Sequence, residues 1–141
     1  FYLEEKGVKN TEDILNKESG FKALFGKGDV RDIYEASKKK NRKAILTLDI
    51  FSYQIAQYIA AYSASMNGLD AIVFTGGIGE NAFYIRDKVA KRLEFLGIKL
   101  DKKKNNKNEI RISDKSSKVK VFVIPTNEEL QIAREANHFI R

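Results

Sequence analysis

Between the apolar run Asp70 to Phe74 (DAIVF) and a helical pattern beginning at Asn81 or Ala82 stands Thr75-Gly76-Gly77-Ile78-Gly79-Glu80-Asn81. A short continuous apolar run bounded in this way predicts a buried parallel strand rather than one half-exposed to water. Downstream, Ile85, Val89, Leu93 and Leu96 fall on one helical face, and Gly97 is placed to close the helix. Strand, glycine turn and helix in that order commit the chain to an α/β fold with helices packed on a small sheet. Glycines in such a turn let the backbone approach a ligand closely, and the helix start after it is expected to offer unpaired N–H groups and the positive end of a dipole.

The rest of the chain frames this unit. Thr11-Glu12-Asp13 predicts the start of a short helix stopping near Gly20, followed by a loop with Gly26 and Gly28. Asp29 reads as an N-cap for a helix to about Lys38, and Asn41 as the start of a long helix to Asn67-Gly68. Along that helix Ile45, Leu48, Ile55, Ile59, Tyr62 and Met66 recur at helical spacing, widened by Ala44, Phe51 and Tyr58, which predicts a largely buried element. Ile98 to Leu100 can begin a strand, Asp101 to Glu109 reads as an exposed loop, Ile110 to Ser113 is left open, and Lys118 to Ile124 (KVKVFVI) alternates as a strand ended by Pro125. Thr126 and Glu129 have capping-box spacing, so a last helix is expected from about Asn127 with Leu130, Ile132 and Ala133 inward. The 141 residues, 43% hydrophobic and 32% charged, suit one globular domain spanning 1–141.

Composition narrows the chemistry. With no cysteine and one histidine, thiolate and His-pair metal sites are out of reach, so any metal must be held by oxygen. The net charge of +7 is spread along the chain, and the runs Lys38–Lys40 and Lys102–Lys104 sit at apparent element ends, which reads as a solvated surface and not a nucleic-acid face. No apolar run approaches the roughly 20 residues of a membrane span. Phe1 opens the chain without a start Met or signal-like region, so a cytoplasmic fragment of a longer protein is expected. His138, far from any motif, is expected at the surface.

Three segments can carry function. The glycine turn suits a nucleotide, although Gly77-Ile78-Gly79-Glu80-Asn81-Ala82 also fits a relaxed dinucleotide fingerprint with Asp101 as the ribose acid, and a tight turn alone would need glycines too. In Pro125-Thr126-Asn127-Glu128-Glu129, capping accounts for Glu129 and leaves Glu128 beyond a strand end, where a carboxylate can hold Mg²⁺ directly or through water. Asp29-Val30-Arg31-Asp32 is a cap with ion pairs, and its Arg31 could also stack on an adenine edge.

Asn16-Lys17-Glu18-Ser19-Gly20, Asp29-Val30-Arg31-Asp32, Phe74-Thr75-Gly76-Gly77-Ile78-Gly79-Glu80-Asn81 and Ile124-Pro125-Thr126-Asn127-Glu128-Glu129 together resemble the acetate and propionate kinase family, in its order and close to its spacing. The resemblance covers essentially the whole chain. Departures are modest: Phe25-Gly26-Lys27-Gly28 replaces a serine-rich segment, and Gly76 stands where Ala is common.

The resemblance implies a ribonuclease-H-like domain of the actin, hexokinase and Hsp70 ATPase superfamily, here most of the C-terminal nucleotide-binding domain of a two-domain kinase. It implies that Asp29, Val30 and Arg31 with Gly77, Ile78, Gly79, Glu80 and Asn81 line an ATP/ADP site, and that Glu128 serves Mg²⁺. The activity implied is reversible phosphoryl transfer between ATP and acetate, giving acetyl phosphate and ADP, in a homodimer. The family's catalytic and acceptor-binding residues have no counterpart here, so this chain alone is expected to be inactive and its acceptor, acetate or propionate, stays open. A domain serving only dimerisation or interaction is the alternative from another class.

Overall fold

The structure is a computed structural model that describes residues 5–7 and 10–139. Phe1, where the sequence opens without a start Met, lies outside the described residues. The chain divides into two compact units, Phe1–Gln54 and Ile55–Arg141, and each is described by itself.

In the first unit, a single helix from Thr11 to Gly20 is not what forms. Thr11–Asp13 is α-helical, Ile14–Glu18 forms a π-helical turn, and a separate helix spans Gly20–Phe25, ending at Gly26 in the left-handed region (φ 95°). The helix Val30–Lys38 begins as expected at Asp29, whose carboxylate accepts the Arg31 backbone N–H at 2.8 Å. Val30 and Ile33 form its buried face. Phe21 and Phe51 pack with ring centroids 4.8 Å apart and planes tilted by 59°.

The long helix spans Arg42–Ser65, and Asn41 caps it by accepting the Ala44 N–H at 3.0 Å. It is less buried than its apolar periodicity predicts. Ala44, Thr47, Leu48, Ser52, Ala56 and Ser63 are buried, whereas Ile45, Tyr58, Tyr62 and Met66 are exposed. The inward line is made mostly of small residues, and the Thr47 and Ser52 hydroxyls donate to the Lys43 and Leu48 carbonyls one turn back. Hydrophobicity alone does not distinguish an inward stripe from an open one.

The second unit is built on two parallel strands, β1 (Ala71–Phe74) and β2 (Lys120–Val123), paired Ala71↔Lys120 through Phe74↔Val123. The pairing runs on past both strands, from the Lys120 N–H to the Asp70 carbonyl and from the Ile124 N–H to the Phe74 carbonyl. β2 follows its alternation, with Val121 and Val123 buried. β1 is parallel as expected but not buried on both faces: Ile72 is covered and Val73 stands 51% exposed.

Ile110–Ser113 extends the sheet by an antiparallel bridge, Arg111↔Phe122. Ile98 to Leu100 contributes only the bridge Leu100↔Ser113 and no strand. The helix Phe83–Arg92 starts one to two residues later than expected. It buries Ile85, Val89 and Leu93, passes into a 3-10 turn at Glu94–Leu96, and closes on Gly97 at φ 81°. The Lys/Asn-rich stretch after Asp101 is not a loop throughout: Lys102–Asn106 is helical, because the Asp101 carboxylate accepts the Lys103 and Lys104 N–H groups and outweighs the poor apolar periodicity.

The last helix is Glu128–Phe139. Its cap is Asn127, whose side chain accepts the Leu130 N–H at 2.9 Å; the Thr126/Glu129 capping box does not form because Thr126 is engaged elsewhere. Leu130, Ile132 and Ala133 do not point inward, since no residue of this helix is buried among the described residues. His138 is exposed, as expected. No helix among the described residues is long and apolar enough to cross a membrane.

Candidate functional site

Beyond the carboxyl ends of β1 and β2 the two conspicuous motifs of the second unit meet. The glycine segment is itself a six-residue helix, Gly76–Asn81, entered from an extended Thr75. Its backbone demands differ from glycine to glycine. Gly76 sits at φ 70°, where a side chain would be strained. At Gly79 an added Cβ would lie 3.2 Å from the Phe74 carbonyl carbon, so this glycine lets the helix approach the end of β1. Gly77 has neither need: its φ is ordinary and a Cβ there would meet nothing within 4 Å.

Glu80 joins the motifs. Its Oε1 accepts the Gly76 N–H at 2.9 Å, the Thr126 N–H at 2.9 Å and the Thr126 hydroxyl at 3.1 Å. Alongside, the Thr75 hydroxyl donates to the Ile124 carbonyl at 2.8 Å. The Glu80 carboxyl lies below the usual carboxylate range, chiefly because the Thr126 N–H favours its charged form, with the Thr126 hydroxyl and Gly76 N–H adding to that against partial burial. A depressed folded-state value means that this join is present in full above the ordinary 4.5 and is lost as the pH falls through the folded value. The Gly76 N–H is therefore already occupied, and the unpaired donors expected at the helix start are fewer than the glycine pattern suggested.

Arg86, which the sequence reading passed over, supports the segment from below. It is fully buried and donates from Nη1 to the Gly79 and Glu80 carbonyls at 2.7 and 2.9 Å, and from Nε and Nη2 to the Asn105 side chain and carbonyl, both at 2.8 Å; Nη2 also bonds the Asn108 side chain. Asn105 in turn donates to the Phe83 carbonyl at 3.0 Å. All five guanidinium N–H groups are matched to carbonyl oxygens. A signal was available, because Arg86 stands three and seven residues before Val89 and Leu93 on the inward face.

Ile78 is half-buried, and Asn81 is exposed with its amide donating to the Gly77 carbonyl at 3.0 Å. Glu128 is exposed in the first turn of its helix. No group of three His, Cys, Asp or Glu side chains able to hold a metal occurs among the described residues. Asp101, the acid a dinucleotide reading requires, is spent on capping Lys102–Asn106.

Asp29, Val30 and Arg31 lie in the first unit. Arg31 grips Asp29 through Nε at 3.1 Å and Nη2 at 2.6 Å, with the Arg31 side chain 86% exposed. Val30 is buried and can offer a ligand only its backbone. The Asp29 carboxyl is lowered to about 2, first by the Arg31 side chain and then by its N–H. Its contribution to stability should be complete above pH 3.8 and vanish as the pH falls through about 2. Thermal midpoints recorded across that window should decline less for Asp29→Asn than for the parent chain.

The strands, the glycine helix on their carboxyl edge and the joined second motif define an α/β arrangement of the actin, hexokinase and Hsp70 ATPase type, and solved structures of that type superpose on the chain. A crystal structure of Porphyromonas gingivalis acetate kinase matches it with a TM-score of 0.84 at 38% identity, over 100% of this chain and 37% of that one. A propionate kinase from Francisella tularensis subsp. tularensis SCHU S4 matches with a TM-score of 0.86 at 42% identity, over 95% of this chain and 35% of that one. The acetate kinase of Halothermothrix orenii is 49% identical over 140 residues, 97% of this chain and 35% of the relative. Residues 1–134 match the acetokinase family, and the chain belongs to that family. It spans about a third of the length of the curated relatives it matches.

Proposed function

We propose that the chain is the C-terminal, nucleotide-binding part of an acetate kinase, which transfers the γ-phosphoryl group of ATP reversibly to acetate. Gly77 is the observation that carries this reading. A helical glycine costs about 1 kcal/mol relative to alanine. Neither backbone conformation nor neighbouring atoms require one at position 77. Close approach of a ligand to the backbone supplies the missing reason. Gly77, Ile78, Gly79 and Asn81 would border the nucleotide; in the first unit, Asp29, the Val30 backbone and the exposed Arg31, whose plane can stack on an adenine, are nucleotide contacts proposed on the family resemblance alone.

Phosphoryl transfer relies on positioning and on cations around the transferred group, and Mg²⁺ when bound supplies such charge. Glu128 fits Mg²⁺ as a single carboxylate, because this ion keeps several waters and takes most of its other oxygens from phosphates. The residues proposed for the site all lie on the phosphoryl-donor side, and the chain by itself is expected to form no acetyl phosphate. A cytoplasmic enzyme acting on small molecules, and not on nucleic acid or membranes, is the context proposed. Propionate is the second acceptor to consider, given the Francisella tularensis propionate kinase among the similar structures. Tyr58 and Tyr62, exposed one turn apart on the long helix, with exposed Met66 just past its end, support a homodimer.

Calorimetric titration of the chain with ADP and ATP, with and without Mg²⁺ and against NAD, tests the reading. Adenine nucleotides should bind and NAD should not; silence toward ADP and ATP from a folded chain would sink the proposal. Glu128→Ala should abolish the Mg²⁺-dependent gain and leave metal-free ADP binding within about 2-fold, which is under about 0.5 kcal/mol. An unchanged Mg²⁺ response in that variant would remove Glu128 from the site.

A further inference from the structure

We propose that Glu80 is a positioning residue, a clasp that fixes the Glu128 segment against the glycine helix and thereby couples metal binding to nucleotide binding, rather than a side chain that touches the nucleotide. This inference rests on the nucleotide-site reading above. One carboxylate oxygen, Oε1, collects three donors, one from Gly76 and two from Thr126, which lies 46 residues downstream of Glu80. The oxygen that collects these donors has no acceptor capacity to spare, and the charged carboxylate would repel a polyphosphate.

Its placement suits the second role. Thr126 stands two residues before Glu128 and one before Asn127, the cap of the helix on which Glu128 sits. Thr75, one residue before the glycine helix, ties the Ile124 carbonyl to the same edge. Two clasps on either side of Pro125 therefore set where the chain leaves β2 and where the Glu128 helix begins. Arg86 holds the Glu80 backbone carbonyl from behind, so the clasp has a fixed base.

The test compares the chain with its Glu80→Gln and Glu80→Ala variants by amide hydrogen exchange at Gly76 and Thr126 and by titration with ADP, with and without Mg²⁺. The Gln variant keeps an acceptor oxygen in the same place and should retain amide protection and the Mg²⁺-dependent gain within about 2-fold. In the Ala variant both amides should lose protection by about 10-fold, as expected for loss of a hydrogen bond of about 1.4 kcal/mol. Its Mg²⁺-dependent gain should disappear, while metal-free ADP binding weakens by less than about 3-fold. Should the Ala variant fail to fold, Glu80→Asp, which keeps the charge but is one methylene too short, should show the same losses.

Retention of the Mg²⁺ gain by Ala or Asp would overturn the inference. Equal losses in Gln and Ala would overturn it too, since the charge and not the clasp would then be at work. A parent chain that binds no nucleotide defeats the underlying reading and this inference together, whereas a responsive parent with an unaltered Ala variant defeats the inference alone.

Discussion

Replacing Arg86 with alanine should cost about 3–5 kcal/mol of stability, the sum of a cavity and of buried carbonyls left without donors. The guanidinium is fully buried, and its five N–H groups serve the Gly79 and Glu80 carbonyls, both oxygens of Asn105 and the Asn108 side chain. Water entering the vacated space would restore part of that bonding, which sets the lower end of the range. Burial pulls the Arg86 pKa down from its ordinary value, yet an arginine this basic stays charged. Arg86→Lys keeps the charge but offers at most three donors and no planar fork, so an intermediate loss of about 2 kcal/mol is expected. Urea unfolding followed by circular dichroism measures both. A shift under about 0.5 kcal/mol for the alanine variant, the range of an ordinary surface change, would show that the network is dispensable.

Two glycines two positions apart should respond in opposite ways. Gly77→Ala meets open space at an ordinary backbone angle, so stability should hold or rise by up to about 1 kcal/mol. Its affinity for ADP should fall by about 10-fold or more if a ligand approaches there, equivalent to about 1.4 kcal/mol. Gly79→Val should do the reverse first. With even a Cβ only 3.2 Å from the Phe74 carbonyl carbon, the larger side chain must push the helix away from the strand end, costing about 2–3 kcal/mol. Denaturant midpoints and ADP titrations on the two variants separate the effects. An undiminished ADP affinity in a well-folded Gly77→Ala chain would take away the main support for a nucleotide at this turn.

Much of this was legible in the sequence because the signals were local. Asp29 as a cap, the parallel strand at Ala71–Phe74, the inward face Ile85, Val89 and Leu93, and the Gly97 stop all depend on spacing and turn chemistry. Family resemblance then drew the three motifs toward one function, and the family match bears out the family and the fold. The errors fell where distant partners decide. Thr126 looked like a cap from its neighbours but is taken by Glu80, 46 residues upstream, so Asn127 caps instead. Arg86 was overlooked because nothing local reveals that Asn105 and Asn108 would come to meet it. The long helix misled for another reason: its apolar stripe continues past the part that is covered, and periodicity cannot tell cover from exposure.

The parallel pairing of Ala71 with Lys120 has a kinetic consequence. Neither strand can be completed by a tight hairpin, so the intervening helices and bridges must be gathered before the ladder closes, and loop-closure entropy is spent ahead of the contacts that reward it. The Glu80 clasp and the Thr75 bond span nearly the same interval, 46 and 49 residues, and so carry the same loop-closure cost. A ligand bridging the two segments would act as a brake on their separation, lengthening the lifetime of the closed sheet without touching its hydrophobic core.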